Sequence, residues 1–535
     1  MPITSTVRAA VRVGLLCSLP LFAHAQTYQR DPTFGTNGRV ALDFGNSAPN
    51  YQPVASRVLP NDQILLVVSN LTDNTLMVVR LQPDGALDSG FGTGGMVTLA
   101  AAPATFSAST STGGIRGPQV QVLPDGSVLR SGLSGNRYAL LRYLPDGTVD
   151  TGFGTGGVVV PNDINLYNRF TLQPDGKIVL VGHTPSSTSA PDFYLVVKRL
   201  SAAGTTEFTT IVPHATVPNT TTVISPRGYS VLVQPDGRIL AVGVGTSSGN
   251  TSNTIFTVAR LLPNGNVDSS YGTNGRTDII NLPNTTVAAT SDAVLQHDGK
   301  LVVAAQAASV DLIRLTTAGV LDATFGSQGQ VRINSSNGNI PGTGSVPVMA
   351  APNNGVYVMF SATAITASRL TSAGQLDASF LPANYPGSYM AEYFSASSAN
   401  QSLSSTVLQQ SNDRLLFIGT SATGLFPAPG PVRRAVGLLR MSAQPLAAAS
   451  PQLSAQVTVF PNPARRQLWL SRPADPRPAE LTLLNALGQQ VVRRQVPASA
   501  GAAAQALPLP ALASGVYTLR VALPGGTVTK RVVLE

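Results

Sequence analysis

The stretch "QPDGKIVLVG", residues 173–182, sets an Asp-Gly turn beside an apolar run and reads as a β-hairpin. It returns as "QPDGRILAVG" at 234 and as "QHDGKLVVAA" at 296. Looser copies stand at 59 ("LPNDQILLVVS"), 123 ("LPDGSVLRSG"), 351 ("APNNGVYVMF") and 410 ("QSNDRLLFIG"). The run after the turn is apolar at nearly every position, so the strand it forms must be buried on both faces.

Two other segments recur with the hairpin in fixed order, as an internal repeat does. One is D-x-x-F-G-x-x-G: "DPTFGTNG" (31), "DSGFGTGG" (88), "DTGFGTGG" (150), "DSSYGTNG" (268) and "DATFGSQG" (322), with degenerate copies "TTEFTTIV" (205) and "DASFLPAN" (377). The other is an apolar strand closing on arginine, as in "LMVVRLQPDG" (76) or "FTVARLLPNG" (256). Each segment occurs seven times. Every unit therefore offers four strands: one after F-G, two flanking the hairpin turn, and one ending on arginine. Seven four-stranded blades stacked face to face give the doubly buried strand its environment, and predict an all-β, seven-bladed β-propeller. A parallel β-helix is the alternative, but its coils are shorter and lack a tight hairpin in each repeat. Since the chain opens with an F-G segment and its repeats end on an arginine strand, the strand near 38–43 is expected to pair with the last unit and fasten the ring.

These residues resemble the delta-60 repeat, a bacterial β-propeller repeat, over roughly 30–441. Five F-G segments match well; units four and seven depart there and rest on their other two segments. The resemblance implies a fold and no general activity.

The bulk composition agrees. The chain has 535 residues, too many for one ordinary core. Its 50 Gly and 40 Pro weaken helices, and 43% hydrophobic residues exclude wholesale disorder. The formal charge of +9 is concentrated in 457–535, which leaves the middle of the chain nearly neutral. No basic run is interleaved with aromatics, so a nucleic-acid role is not expected.

The N-terminus reads as a secretory signal, 1–25. Arg8 and Arg12 precede the apolar "VGLLCSLPLF" (13–22), and "AHA" ends in a cleavage site between Ala25 and Gln26. The alternative, a lipid anchor on Cys17, lacks the small residue a lipobox wants before the cysteine. No stretch is long enough for a transmembrane segment. Cys17 is the only cysteine and leaves with the signal, so the mature chain, with a propeller over 26–441, has no disulfide.

After 441 the Pro/Ala/Ser-rich 442–456 reads as a linker. Over 457–535, short alternating strands split by Pro, Asn and Gly predict a small Ig-like β-sandwich. "FPNP" (460–463), "LLNALGQQV" (483–491), "GVYTLRV" (515–521) and the terminal "TKRVVLE" resemble, in order, the type A sorting domain of the Bacteroidetes type IX secretion system. The motif positions are Pro461, Asn462, Pro463, Gly488, Gly515, Tyr517 and Lys530; Asn485 stands where an Asp is more usual. The resemblance implies periplasmic entry by the signal peptide, outer-membrane passage directed by 457–535, and proteolytic removal of that domain. It names the type IX machinery as partner, and the cargo's destination as the medium or the cell surface, held there by lipopolysaccharide.

Candidate chemistry is sparse. "GTSSG" (245–249) matches a nucleophile-elbow pattern at Ser247, but it lies in a Ser/Thr/Asn loop before a strand rather than a helix. His183, His214 and His297 fall in three different units, without ligand spacing. Asp175 and Asp236 are isolated turn formers rather than calcium ligands. "GTGG" (92–95, 154–157) precedes no helix and is no dinucleotide loop. No metal or cofactor is expected.

The series Arg80, Arg142, Arg199, Arg260, Arg314, Arg369 and Arg440 accompanies Asp31, Asp88, Asp150, Asp268, Asp322 and Asp377. A group present in every blade is expected to serve every blade, with Asp accepting N–H groups in the F-G turn and Arg binding carboxylates or carbonyls between blades. The functional expectation is a non-catalytic binding or adhesion module for a glycan or protein. The alternative is a polysaccharide lyase or hydrolase, which needs paired acids or a Tyr/His/Arg cluster at the axis. Unit seven departs most from the repeat, at "LPANYPGSYMAEYFSASSANQ" (381–401). Its Tyr385, Tyr389, Tyr393 and Phe394 are the candidate ligand-binding residues, against a plain packing role for the same rings.

Overall fold

The computed structural model describes 27–42, 44, 50–107, 119–161, 166–185, 193–212, 215–216, 223–247, 250–279, 291–306, 310–333, 347–361, 365–377, 380, 390–392, 402–422, 434–444, 455–475, 479–485, 490–498, 504–523 and 526–535. The chain divides into units at 27–444 and 445–535.

The first unit consists of seven separate antiparallel sheets. Sheet one runs Tyr51–Val58, Ile64–Asn70, Thr75–Leu81, Met96–Thr98. Sheet two runs Val120–Val122, Val128–Ser134, Arg137–Tyr143, Val158–Val159. Sheet three takes Leu166–Leu172, Ile178–Pro185, Phe193–Leu200 and Thr206–Val212. Sheet four takes Val223–Val233, Ile239–Ser247, Asn250–Leu261 and Arg276–Ile279, with Ala215–Thr216 added beside its first strand. Sheet five holds Ser291–Leu295, Leu301–Gln306, Val310–Leu315 and Gln330–Ile333; sheet six holds Val348–Ala351, Gly355–Ser361, Ile365–Leu370 and Met390–Glu392. Sheet seven joins Ser402–Gln410, Arg414–Ala422 and Arg434–Gln444 to two N-terminal strands, Thr27–Arg30 and Arg39–Leu42.

The recurrent decamer is the hairpin between the first two strands of each sheet. In 173–177 the Gln173 N–H donates to the Lys177 carbonyl at 2.8 Å, and the Asp175 carboxylate accepts the Lys177 N–H at 3.2 Å. Gly176 supplies the left-handed φ of 82° that the turn requires. The strand after each turn is buried on both faces, as its composition predicts. In Ile64–Asn70, Leu65 and Val67 pack toward sheet two while Ile64, Leu66 and Val68 pack toward sheet seven. Burying one such side chain stabilises by roughly 1.5–3 kcal/mol.

This two-sidedness closes the ring. Successive sheets share apolar clusters, one to two through six to seven, and sheet seven shares one with sheet one. A closed cycle of seven sheets is a β-propeller. The strand after each F-G segment completes the preceding sheet, so the first of them, Arg39–Leu42, pairs with Val436–Leu439 as expected. The last strand continues to Gln444, because 441–444 pair with Thr27–Arg30. The expected linker start at 442 is thereby corrected: Ser442 and its neighbours read as linker by composition, yet they carry a ladder.

The second unit is a sandwich. Thr458–Phe460, Gln467–Ser471 and Gln505–Pro508 form one sheet, and Gln490–Val496, Ala479–Leu484, Gly515–Leu523 and Gly526–Leu534 form the other. Leu468, Leu470 and Leu507 from the first meet Leu481, Leu483, Leu519 and Val532 from the second in one core.

Candidate functional site

The first strands of successive sheets approach one another, which puts them at the axial edge. Counted back from each hairpin turn by register, Gln119, Arg169, Ser230, Asp292 and Thr406 share one level. Adjacent first strands have no mutual ladder, and these side chains stitch them instead. Gln119 Nε2 donates to the Phe170 carbonyl at 2.9 Å, and its Oε1 accepts the Phe170 N–H at 2.7 Å. Arg57 Nε donates to the Val122 carbonyl at 2.8 Å, and Asp292 Oδ2 accepts the Val348 N–H at 3.3 Å. Among the described residues of these strands Asp292 is the one carboxylate.

The arginine and aspartate series forms a second feature, at the outer side of each sheet. Arg80, Arg142, Arg260 and Arg314 hold Asp88, Asp150, Asp268 and Asp322 at 2.6–2.8 Å. Arg369 pairs with Asp377 at 2.8 Å, and Arg440 with Asp31 at 2.9 Å. In the degenerate fourth unit Arg199 pairs with Glu207 at 2.6 Å, an acid that the Asp pattern passed over. The signal was its place, eight residues after the arginine as in the other pairs. Each guanidinium also covers the F-G ring; Arg314 lies 4.5 Å above Phe325 and Arg199 4.7 Å above Phe208. Arg142, Arg199, Arg260, Arg314 and Arg440 then reach the next sheet, Arg260 Nη1 donating to the Thr317 carbonyl at 2.7 Å. The Asp accepts the turn's N–H groups, as in Thr33 N–H to Asp31 at 3.0 Å. The F-G glycine completes the joint: Gly154, at φ 60°, donates to the Ala203 carbonyl of the next sheet at 3.1 Å. A Cβ there would strike the Val158 carbonyl oxygen.

These pairs lock sheets together, and two predictions follow from them. Arg314 and Asp322 side chains are 2% and 6% exposed. Arg314→Met leaves the carboxylate only Lys300 Nζ at 3.0 Å and the Thr324 donors, and urea unfolding should show a loss of about 2 kcal/mol. Burial by itself raises Asp31, Asp268 and Asp322, but hydrogen bonds from the turn's Thr or Ser and the facing arginine outweigh it and hold all three below the ordinary carboxylate range. Their stabilisation is complete above the unfolded value, about pH 4, and is lost as pH falls through the depressed native values. Calorimetry should find Tm level from about pH 7 to 5 and falling below about pH 4. Asp322→Asn should flatten that fall, and a Tm unchanged in strong acid contradicts the assignment.

The other candidates separate. Ser247 ends a strand whose next element is another strand, so no nucleophile elbow forms. His183 is buried in sheet three and His297 is exposed in the 296–300 turn; His214 lies outside the described residues. Among the described residues no three of His, Cys, Asp or Glu converge as metal ligands do. Tyr385, Tyr389, Tyr393 and Phe394 lie outside the described residues, as do Ala25, Gln26 and Gly488. The strand between the tyrosines, Met390–Glu392, is the outer strand of sheet six.

In the sandwich the motif residues do come together. Asn462 Nδ2 donates to the Arg531 carbonyl at 2.8 Å, and its Oδ1 accepts the Val533 N–H at 2.8 Å. One side chain thus mimics a ladder partner for the last strand, next to Pro461 and Pro463. Tyr517 Oη donates to the Ala513 carbonyl at 2.8 Å, fixing the entry to the strand opened by Gly515. Lys530, half-buried, lies opposite Leu519 in that strand pair.

An all-β ring of seven sheets, tied by arginines and followed by a small sandwich, defines the class of protein. Residues 458–535 match the family described as secretion system C-terminal sorting domain, and 123–153, 234–271 and 296–325 match the β-propeller family described as a domain of unknown function, DUF5122. The chain is a β-propeller protein with a type IX secretion sorting tail, exported by that route to the cell surface or the medium. No helix among the described residues is long and apolar enough to cross a membrane. No curated protein matches the chain. Solved structures similar to it include a protein of unknown function from Bacteroides caccae (11% identity, 63% of this chain and 81% of that one, TM-score 0.25). Others are an exo-β-1,3-galactanase from Phanerochaete chrysosporium with galactose (12%, 79% and 96%, TM-score 0.29) and a GH93 α-L-arabinofuranosidase of Fusarium graminearum with arabinobiose (13%, 62% and 97%, TM-score 0.36). At these scores none bears on activity.

Proposed function

We propose that the exported propeller is a non-catalytic binding or adhesion module whose contact surface is the end of the sheets opposite the Asp-Gly turns. The difference between the two ends carries this reading. Because the strands alternate in direction, the first-to-second and third-to-fourth connections share one end, and the remaining connections share the other. The hairpin connections at the first end are nearly uniform: 59–63, 123–127, 173–177, 234–238 and 296–300. That end also carries the arginine locks. At the other end, connections between second and third strands range from 135–136 to 423–433, and 99–119 and 334–347 join sheets. Loops free to vary on a rigid scaffold are where binding residues gather. Tyr385, Tyr389, Tyr393 and Phe394 stay candidates for a contact of their own.

The test uses the full mature chain on immobilised neutral and acidic glycans and host-surface proteins. Saturable binding that falls when 423–433 is replaced by a Gly/Ser loop, with Tm unchanged, is the expected result. New reducing ends or unsaturated sugars released from a polysaccharide overturn the non-catalytic reading.

A further inference from the structure

The seven outer arginines each have a carboxylate. Three arginines on the first strands, Arg57, Arg169 and Arg227, pair with none among the described residues; Arg57 is taken up by the Val122 carbonyl, which leaves Arg169 and Arg227. Both are half-buried, where an uncompensated cation is costly. They flank one contact between sheets three and four: Asn168 Nδ2 donates to the Gly228 carbonyl at 2.8 Å, and 168 and 228 are their immediate neighbours.

That contact is the floor of a polar cluster. Asn168 is the bulged residue of its strand, 3% exposed, and its Oδ1 is buried without a partner. Its Nδ2 also faces His183 Nδ1 at 3.4 Å, which leaves Nε2 as the protonated nitrogen of the neutral ring. Burial, then the charge of Arg227, lowers His183 to about 4, so the ring adds no charge near neutrality. The His183 edge meets the Phe193 ring, with centroids 4.9 Å apart, and the Arg227 guanidinium lies 4.4 Å above that same ring. A half-buried aromatic face with a guanidinium laid on it, a second arginine next in sequence to the Asn168 floor and an unused acceptor call for a ligand that brings both negative charge and hydroxyl donors. Sulfate brings the charge alone, and phosphate adds only a P–OH on the charged centre itself. A uronate brings a planar carboxylate that fits a guanidinium fork, and hydroxyls that serve the acceptor directly or through one water.

We propose that Arg169 and Arg227, over the floor of Asn168, His183 and Phe193, form a binding site for the carboxylate-bearing sugars of an acidic polysaccharide. The inference rests on the binding-module reading and names its ligand class. The site lies on the axial strands, Arg227 toward the end that carries the variable loops.

The test is calorimetric titration of the chain 26–535, sorting domain retained, with oligogalacturonate, with neutral dextran oligomers and sodium phosphate as comparisons. Oligogalacturonate should bind saturably and more tightly than phosphate, and weaken with added salt. Arg227→Gln and Arg169→Gln should each weaken binding about tenfold or more. Arg227→Lys, which keeps the charge and loses the fork, should fall between. Arg531→Gln, on the exposed sandwich surface, should change nothing. Melting curves show which variants fold, and Arg169→Gln and Arg227→Lys keep the test open if Arg227→Gln does not. Undiminished binding in the folded variants, loss in Arg531→Gln, or equal affinity for phosphate overturns the site. Binding of a neutral glycan or a protein without oligogalacturonate overturns the site and leaves the binding module standing. Binding of nothing removes both.

Discussion

A chain that begins at 43 instead of 27 is expected to lose its cooperative unfolding transition. The missing segment contributes the outer strands of sheet seven, laddered to 436–439 and 441–444. With it go Tyr28 and Phe34, both fully buried, and Leu42 at 5% exposure. Tyr28 also ends in a hydrogen bond to the Tyr357 hydroxyl at 3.1 Å, tying sheet seven to sheet six. The deletion strands Arg440 as well, whose side chain is 2% exposed and which pairs with Asp31. Removing a buried aromatic costs about 3–5 kcal/mol, and stranding a buried charge costs about as much. Together these losses are on the order of 10 kcal/mol, the size of a whole domain's stability. Circular dichroism melts should therefore show a broad, low transition in place of a sharp one. Phe34→Ala alone should cost about 4 kcal/mol. Adding the 27–44 peptide in trans should restore part of the transition, because the ring is open only at that seam. A truncated chain that melts within a few degrees of the intact one means the ring does not depend on its closing strands.

The repeat made the architecture legible because one physical demand, a strand buried on both faces, recurs at every hairpin. A run such as Ile64–Val68 has no other home than between two neighbours. The closing strand was legible for a similar reason: cutting the repeat after its arginine strand leaves a fourth strand to be supplied from the start of the chain. What escaped was tertiary. Ser442 and Gln444 have a linker's composition, and only their partners at 27–30 make them strand. Glu207 escaped because the fourth unit lost its Asp and kept only the charge and spacing. Arg169 and Arg227 carry no motif at all. Their significance appears only by contrast, once the arginines of the third strands are seen with their carboxylates and these two without. The aromatic stretch 385–394 was conspicuous in sequence because aromatics are only 6% of the chain, which locates an anomaly but assigns it no surface.

Export is the second large effect, and it divides the work of the sandwich from that of the ring. Deleting 457–535 should abolish appearance of the propeller outside the cell, with the truncated chain recovered folded from the periplasm. The sheets of 27–444 complete their ladders and apolar clusters within that unit, so its fold is expected to survive. The intact protein should appear outside shortened by the sorting domain. Asn462→Ala should act in the same direction and less completely. Asn462 holds both the Arg531 carbonyl and the Val533 N–H, and Ala464 adds the Val533 carbonyl and the Glu535 N–H at 2.8 and 2.9 Å. Losing the two amide bonds costs about 2 kcal/mol, a large share of what so small a sandwich has to spare. The end of the last strand should fray, and hydrogen exchange at 531–535 should rise before export fails. Asn462→Asp restores the acceptor for Val533 but not the donor for Arg531, and should export at an intermediate level. If the fraying variant is exported normally, the motif is read by the machinery through its exposed prolines rather than through the strand it holds. If the chain without 457–535 reaches the surface normally, this domain is not the address.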